Sequence, residues 1–359
     1  MDPSDFSKKL ILWQRRFGRH GLPWQVNDAY RRWLSEVMLQ QTQVSVVIDY
    51  FSRFLLRFPT VQSLAQSDLD DVYRLWAGLG YYARAKHLHQ CAKMICDQYD
   101  GRFPETVEEL VKLPGIGRST AGAITSFSYG KPTPILDGNV KRIFTRVYRI
   151  GTPLGKAQAE KKLWSLAEAL VPKKEAGTYN QALMDLGAAL CTKTHPKCER
   201  CPLRDVCSAH RENREESYPV REKKEKKPIR AVRMTVYIKR QKLWLTQRSQ
   251  KAVWEGLWSL PENRPEQGTS LTTFTHVFSH YKLEASVEIC PWKKRKDPDT
   301  NGRWFSLEEA ITQALPSPIK RMLLANASAL GDSKIVLSQA ATAQEDALDS
   351  ITCNSPSSK

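Results

Sequence analysis

No apolar run in the 359-residue chain approaches the length that crosses a bilayer. The N-terminal stretch MDPSDFSKKLILWQRR lacks the long apolar core and the cleavage-site pattern of a secretion signal. A soluble cytoplasmic protein with no membrane partner is therefore expected, and disulfides are not the expected use of its eight cysteines. Negative charge is also scarce: 38 Asp and Glu stand against 55 Lys and Arg, a net +17. That excess favours a polyanion partner, most simply nucleic acid, although a generally basic soluble protein has the same balance. Nothing in the chain signals an oligomer, so a monomer is expected. The length implies two domains, and 41% hydrophobic residues suffice for real cores.

What is present is organised around Leu113 to Asn139, LPGIGRSTAGAITSFSYGKPTPILDGN. Thr106 and Glu109 have capping-box spacing for a short helix just before it. Pro114, Gly115 and Gly117 then force a tight turn, because glycine escapes the usual φ limits. Ala121, Ile124 and Phe127 carry a second helix. Backbone N–H groups converging at such a hairpin, beside a helix N-terminus, suit a DNA phosphate. The same glycine pattern fits an ordinary packing corner equally well.

Upstream, Phe6, Leu10, Trp13 and Phe17 mark an amphipathic helix over 6–17. Apolar residues at helical spacing from Trp33 to Phe54 predict a helix broken near the glutamines at 40–43. Glu36 lies among apolar neighbours there. Such surroundings raise a carboxyl pKa, as a general acid near neutral pH requires, although a lone helix glutamate more commonly faces solvent. Residues 61–76 suggest one further helix, followed by Gly78-Leu79-Gly80-Tyr81-Tyr82. Glycines ahead of paired tyrosines can present an aromatic wedge to stacked bases, or simply turn the chain into a core. Arg84 and Lys86 are expected near phosphate, on charge alone. Helices are also expected over 85–99, 157–170 and 178–190, with Cys91 and Cys96 as structural thiols.

Cys191, Cys198, Cys201 and Cys207 form C-x6-C-x2-C-x5-C. Four thiolates this close can hold zinc or an iron–sulfur cluster; the stagger is unlike the tight pairs of zinc modules but leaves zinc open. Residues 209–230 are highly charged and poor in apolar side chains, the composition of a linker, with a basic run at Lys223–Lys227. From Ala231 the apolar period becomes two, through Val232, Met234, Val236 and Ile238, then Leu243 and Leu245, then Leu283, Ala285, Val287 and Ile289. An antiparallel sheet is expected, with helices over 306–314 and 317–328. Residues 330–359 read as a disordered tail holding Cys353 as a free thiol.

LPGIGRSTAGAI followed by ILDGNVKR resembles the helix-hairpin-helix signature of the endonuclease III superfamily of DNA glycosylases. SEVMLQQTQV, GLGYYARA and TYNQALMDLGAALC resemble its MutY family of adenine glycosylases. The resemblance extends over roughly 6–328 and is densest from Trp33 to Cys207. It implies an α+β chain. An all-α helix-hairpin-helix glycosylase domain would occupy 1–208, with the hairpin near 105–128 and an iron–sulfur loop at 191–207. After a linker at 209–230, a Nudix-like α/β lesion-recognition domain would occupy 231–329.

The resemblance further implies removal of adenine paired with 8-oxoguanine or guanine in double-stranded DNA, by a nucleoid-associated enzyme that prevents G·C to T·A changes. Glu36 would protonate the adenine and Asp137 would be catalytic, with Asn139 placed to orient it. Gly115 and Gly117 would grip phosphate. Gln41 and Tyr81 would wedge into the duplex, and Gln181 would contact adenine. Phe278, Ser279 and His280 would read 8-oxoguanine, and the four cysteines would hold one [4Fe–4S] cluster of structural role. Ser119, also expected at the DNA, replaces the lysine of strand-nicking relatives; serine cannot form a Schiff base, so a monofunctional enzyme is implied. No glutamate-rich Nudix box follows Trp254-Glu255-Gly256-Leu257-Trp258, which disfavours pyrophosphate hydrolysis. Two alternatives remain: a bifunctional glycosylase/lyase for oxidised pyrimidines, and a non-enzymatic iron–sulfur DNA-binding protein, which would need neither carboxylate.

Overall fold

Asp2, Asp28, Thr60, Thr106 and Asp137 each start a helix by accepting a backbone N–H two or three residues on, which satisfies a donor the helix itself cannot. The computed structural model describes residues 2–222, 227–249, 253–263, 265, 268–294 and 296–331. The basic run before Lys227, and the tail beyond 331 with Cys353, lie outside them. In chain order the helices are α1 (Pro3–Phe17), α2 (Ala29–Leu39), α3 (Val44–Arg57), α4 (Val61–Ala65), α5 (Leu69–Trp76) and α6 (Ala83–Tyr99). Then come α7 (Val107–Leu110), α8 (Arg118–Tyr129), α9 (Gly138–Val147), α10 (Ala157–Leu170), α11 (Ala176–Ala189) and α12 (Ser208–Arg211). Strands β1 (Ile229–Lys239), β2 (Lys242–Gln247), β3 (Trp258–Ser259), β4 (Thr269–Val277), β5 (Lys282–Pro291) and β6 (Gly302–Phe305) precede α13 (Leu307–Thr312) and α14 (Ser317–Ala325). No helix among the described residues is long and apolar enough to cross a membrane.

The chain divides into two compact units. The first, Met1–Ser67 with Arg84–Lys224, is helical. Its core sets Phe6 and Leu10 of α1 against Phe144 of α9, Leu163 of α10, and Tyr179, Leu183 and Leu186 of α11. The ring centroids of Phe6 and Phe144 are 6.2 Å apart.

The second unit joins Asp68–Ala83 to the chain from Glu225 onward. A six-stranded sheet runs β3-β2-β1-β5-β4, with β6 also paired to β2. Met234, Val236, Leu245 and Val287 face Leu307, Ile319 and Leu323 across its core. The sheet is mixed rather than antiparallel, because β1 and β5 pair in parallel from Ile229–Lys282 to Ile238–Pro291. Alternation reports which face a residue occupies, not the direction of its neighbour. The β1–β2 turn at Arg240 and Gln241 has two positive φ angles, 51° and 62°, as a two-residue hairpin requires.

The single helix expected over 61–76 is two. Ser67 Oγ turns back to Leu64 O at 2.7 Å and Asp68 is extended, so α4 stops and α5 begins at the boundary between the units.

Candidate active site

Helix α2 carries Glu36 in its last turns. Arg84 Nη1 donates to the carbonyls of Val37, Met38 and Gln40 at 2.8, 3.0 and 2.6 Å, which caps the open C-terminal end of that helix. Arg84 thus serves the α2 terminus. Burial pushes the Glu36 carboxyl up to about 7; Asp137 repels its charge further and Arg32 opposes both. Burial also raises Asp137 above the ordinary carboxylate range, a rise that the hydrogen bonds from Val140 and Asn139 and the charge of Arg142 oppose. The Asp137 carboxylate accepts from Val140 N at 2.8 Å and from Asn139 Nδ2 at 3.1 Å.

The loop before Asp137 is pinned from two helices. Ser119 Oγ of α8 accepts the Leu136 N–H at 3.0 Å, and Asn180 Nδ2 of α11 donates to Thr133 O at 2.9 Å. Gly122 lets α8 approach this loop, since a Cβ there would lie 2.2 Å from Pro134 O. In the hairpin, Gly115 has φ +77°, the left-handed conformation that favours glycine. Gly117 does not share it: at φ −87° it is extended and serves as the α8 N-cap. The turn therefore needs one glycine for conformation, not two.

Helix α9, which Asp137 starts, sends Asn139, Arg142 and Arg146 along one face. Arg142 Nη2 donates to Asn139 Oδ1 and to Gly187 O, both at 2.8 Å, and its Nε donates to Cys191 O at 2.7 Å. Arg146 is 1% exposed and donates to Glu215 O, Thr192 O and Lys193 O at 2.8, 2.7 and 3.0 Å, and to Cys191 Sγ at 3.3 Å. The sequence reading missed both arginines. Their four-residue spacing after Asp137 was the only local signal.

Cys191, Cys198, Cys201 and Cys207 line one cavity with Leu186, Leu190 and Leu203. Among the described residues, no three of the four sulfurs come within 4.8 Å of one another. Tetrahedral zinc would draw all four to about 3.8 Å. An all-sulfur donor set, apolar walls, wider spacing and an Arg146 N–H aimed at one sulfur fit an iron–sulfur cluster better than a single zinc ion. Burial raises the thiols of Cys198, Cys201 and Cys207.

A polar cleft of about 520 Å³ is lined by Gln14, His20, Gln25, Arg32, Phe127 and Gln181. Gln181 Nε2 donates to Asp185 Oδ1 at 2.9 Å, and Arg19 donates to the same carboxylate through N at 2.8 Å and Nε at 2.7 Å. A carboxylate only accepts, so this contact fixes the Gln181 amide orientation and leaves Oε1 as the acceptor available to the cleft. Arg19 and Asp185 were not singled out from sequence, because their partnership spans 166 positions.

The remaining expected DNA-facing residues stand as follows. Gln41 lies between α2 and α3 with φ +61°. Tyr81, in the second unit, has φ +49° and is 55% exposed. Both are non-glycine residues in the left-handed region, a signature of sites held under strain. In the second unit Phe278 stacks on Tyr281 with centroids 4.7 Å apart and packs edgewise on His276 at 4.6 Å. The turn it opens presents exposed Ser279 and His280, whose Oγ and Nδ1 are 3.2 Å apart.

A family model for HhH-GPD superfamily base excision DNA repair proteins matches residues 34–169, and one for the NUDIX domain matches residues 233–325. The adenine DNA glycosylase of Buchnera aphidicola subsp. Schizaphis graminum is 38% identical over 339 residues, covering 89% of this chain and 97% of its own. The human adenine DNA glycosylase is 42% identical over 214 residues, covering 57% of this chain and 39% of its own. Among solved structures, a thermostable thymine-DNA glycosylase superposes with TM-score 0.52 at 26% identity, over 58% of this chain and 97% of its own. An endonuclease III in non-covalent complex with DNA gives 0.50 at 21%, over 59% and 98%, and that likeness speaks to fold alone.

Proposed function

The chain belongs to the MutY family of adenine DNA glycosylases in the endonuclease III superfamily, hydrolases of N-glycosyl bonds, and we propose that it removes adenine paired with 8-oxoguanine or guanine in double-stranded DNA. The observation that carries the mechanism is the unequal treatment of two neighbouring carboxyls. Burial raises both, but among the described residues only Asp137 of the two accepts hydrogen bonds, and these oppose the rise. Environments that push paired carboxyls apart assign an acid and an ionised partner.

Adenine must leave the stack to reach such a site. Gln181 Oε1 can accept from the exocyclic amine of adenine, whereas guanine offers a carbonyl oxygen there and would be repelled. Glu36, protonated near neutral pH, gives its proton to N7 and turns the base into a leaving group. The sugar takes on oxocarbenium character as the glycosidic bond breaks. Asp137 stabilises that charge, electrostatically or by bonding to the sugar, and Glu36 then takes the proton of the attacking water. Asn139 orients Asp137. Cys191, Cys198, Cys201 and Cys207 would hold a [4Fe–4S] cluster, which would staple their loop rigidly. Gln41 and Tyr81 act as wedges, Gly115 and Gly117 at phosphate, and Phe278, Ser279 and His280 at the 8-oxoguanine edge. Ser119 is occupied by a backbone N–H and offers no amine nucleophile, so strand cleavage by β-elimination is not expected.

The test is single-turnover adenine release from a duplex with one A·8-oxoguanine pair, comparing wild type with Glu36→Gln. Release without nicking before alkali, lost in the variant, supports the reading. Equal release by both would remove Glu36 from the acid role. A wild type that binds the duplex without releasing adenine would favour a non-enzymatic binding protein.

A further inference from the structure

Residues 68–83 are flanked in sequence by the helical unit, yet they pack as part of the sheet unit. Two contacts tie them there across 233 and 177 positions of sequence. Tyr82, 8% exposed, donates its hydroxyl to Leu315 O at 3.0 Å. Gln247 Nε2, from β2, bridges Asp70 Oδ1 and Gly256 O, both at 3.1 Å. Tyr73 completes the seat. Its ring meets Tyr82 edgewise at 5.9 Å, and it lies so close to Gly256 that a Cβ there would come within 2.9 Å. Inside the segment, Trp76 Nε1 donates to Gly80 O at 3.0 Å. This frame holds Tyr81 in its left-handed conformation with the residue more than half exposed. A residue held in so sparsely populated a conformation needs surroundings that over-determine it, and these come from the sheet unit.

We propose that Tyr82 and Gln247 are positioning residues that fasten the Tyr81 loop to the Nudix-like unit, so that the body bearing the Phe278–His280 turn also sets the wedge that opens the base stack. The proposal rests on the function argued above. Opening the stack is then a property of the sheet unit, while Glu36 and Asp137 belong to the helical unit. A loosened latch slows base extrusion without touching the carboxyls.

The experiment uses the full-length protein with its cluster and a duplex carrying 2-aminopurine beside the adenine opposite 8-oxoguanine. Fluorescence reports unstacking, and single-turnover release reports the whole reaction. Tyr82→Phe removes one hydroxyl; Gln247→Glu sets a carboxylate against Asp70, and Asp70→Asn restores a donor opposite it. Tyr82→Phe and Gln247→Glu are expected to slow release roughly 10- to 100-fold and to blunt the fluorescence rise as Tyr81→Ala does, with cluster absorbance unchanged and the protein still fully folded at the assay temperature. Gln247→Glu with Asp70→Asn is expected to recover much of the loss. Wild-type fluorescence in both single variants, or loss of release that tracks loss of folded protein, would overturn the latch. A wild type that unstacks the reporter but releases no adenine would overturn the glycosylase reading instead, and the fluorescence of the variants would still decide the latch.

Discussion

Asn139 Nδ2 donates to Asp137 Oδ2 at 3.1 Å, while Asp137 Oδ1 accepts from Val140 N at 2.8 Å. Each carboxylate oxygen thus has its own donor, which favours the ionised form. Asn139 is oriented in turn by Arg142, whose guanidinium also reaches Gly187 O and Cys191 O. One side chain therefore joins the carboxylate, helix α11 and the cysteine loop.

Lysine at position 142 would keep the charge but lose the planar fork that serves three acceptors. Arg142→Lys is expected to slow adenine release roughly 10- to 100-fold through misplacement of Asp137, with duplex affinity little changed. A single-turnover rate equal to wild type would dissociate Arg142 from the placement of Asp137.

Glu36 sets a pH dependence of known sign. Its folded-state proton affinity is raised to about 7 from an ordinary 4.5. As the general acid it loses its proton above that value, so release should fall on the alkaline side; protonation of Asp137 should reduce it on the acid side. The same shift acts on stability. The native state binds the proton more tightly than the unfolded chain, so the contribution is fully present below 4.5 and is lost as pH rises through about 7. Glu36→Gln stays neutral throughout. It should be more stable than wild type near pH 8, by at most roughly 3 kcal/mol, and show no gain near pH 4. Urea denaturation at the two pH values checks this; a gain of equal size at both would point to packing.

Arg146 is almost wholly buried and satisfies four backbone carbonyls, of Thr192, Lys193, Glu215 and Tyr218, and the sulfur of Cys191. Arg146→Met would strand those acceptors, at about 1–3 kcal/mol for each that stays buried without a donor. Lower iron content per chain and a lower melting temperature are expected. Arg149, half-exposed and paired with Glu212, is the control; equal losses in Arg149→Met would mean that the effect is one of general charge.

Much of the chemistry was legible without coordinates. The raised proton affinity of Glu36 followed from its apolar neighbours, the hairpin from Pro114 and Gly115, and the cysteine set from its spacing. The sheet unit announced itself through alternation at Met234, Val236, Leu243 and Leu245. Two expectations failed for different reasons: Gly117 was placed by its residue type, and the direction of the sheet by an alternation that carries none.

The sequence by itself determined which groups are available: two carboxyls, four thiols, a serine at position 119, and aromatic residues at two loops. These are properties of residue type and short-range spacing, and they survive without a fold. Only the tertiary structure decided how those groups are held. Arg142 and Arg146 of α9 reach the cysteine loop, Arg19 reaches Asp185 across 166 positions, and residues 68–83 join the sheet unit through Tyr82 and Gln247. Each of these contacts links positions with no common period along the chain, so it arises only when packing brings them within hydrogen-bonding distance.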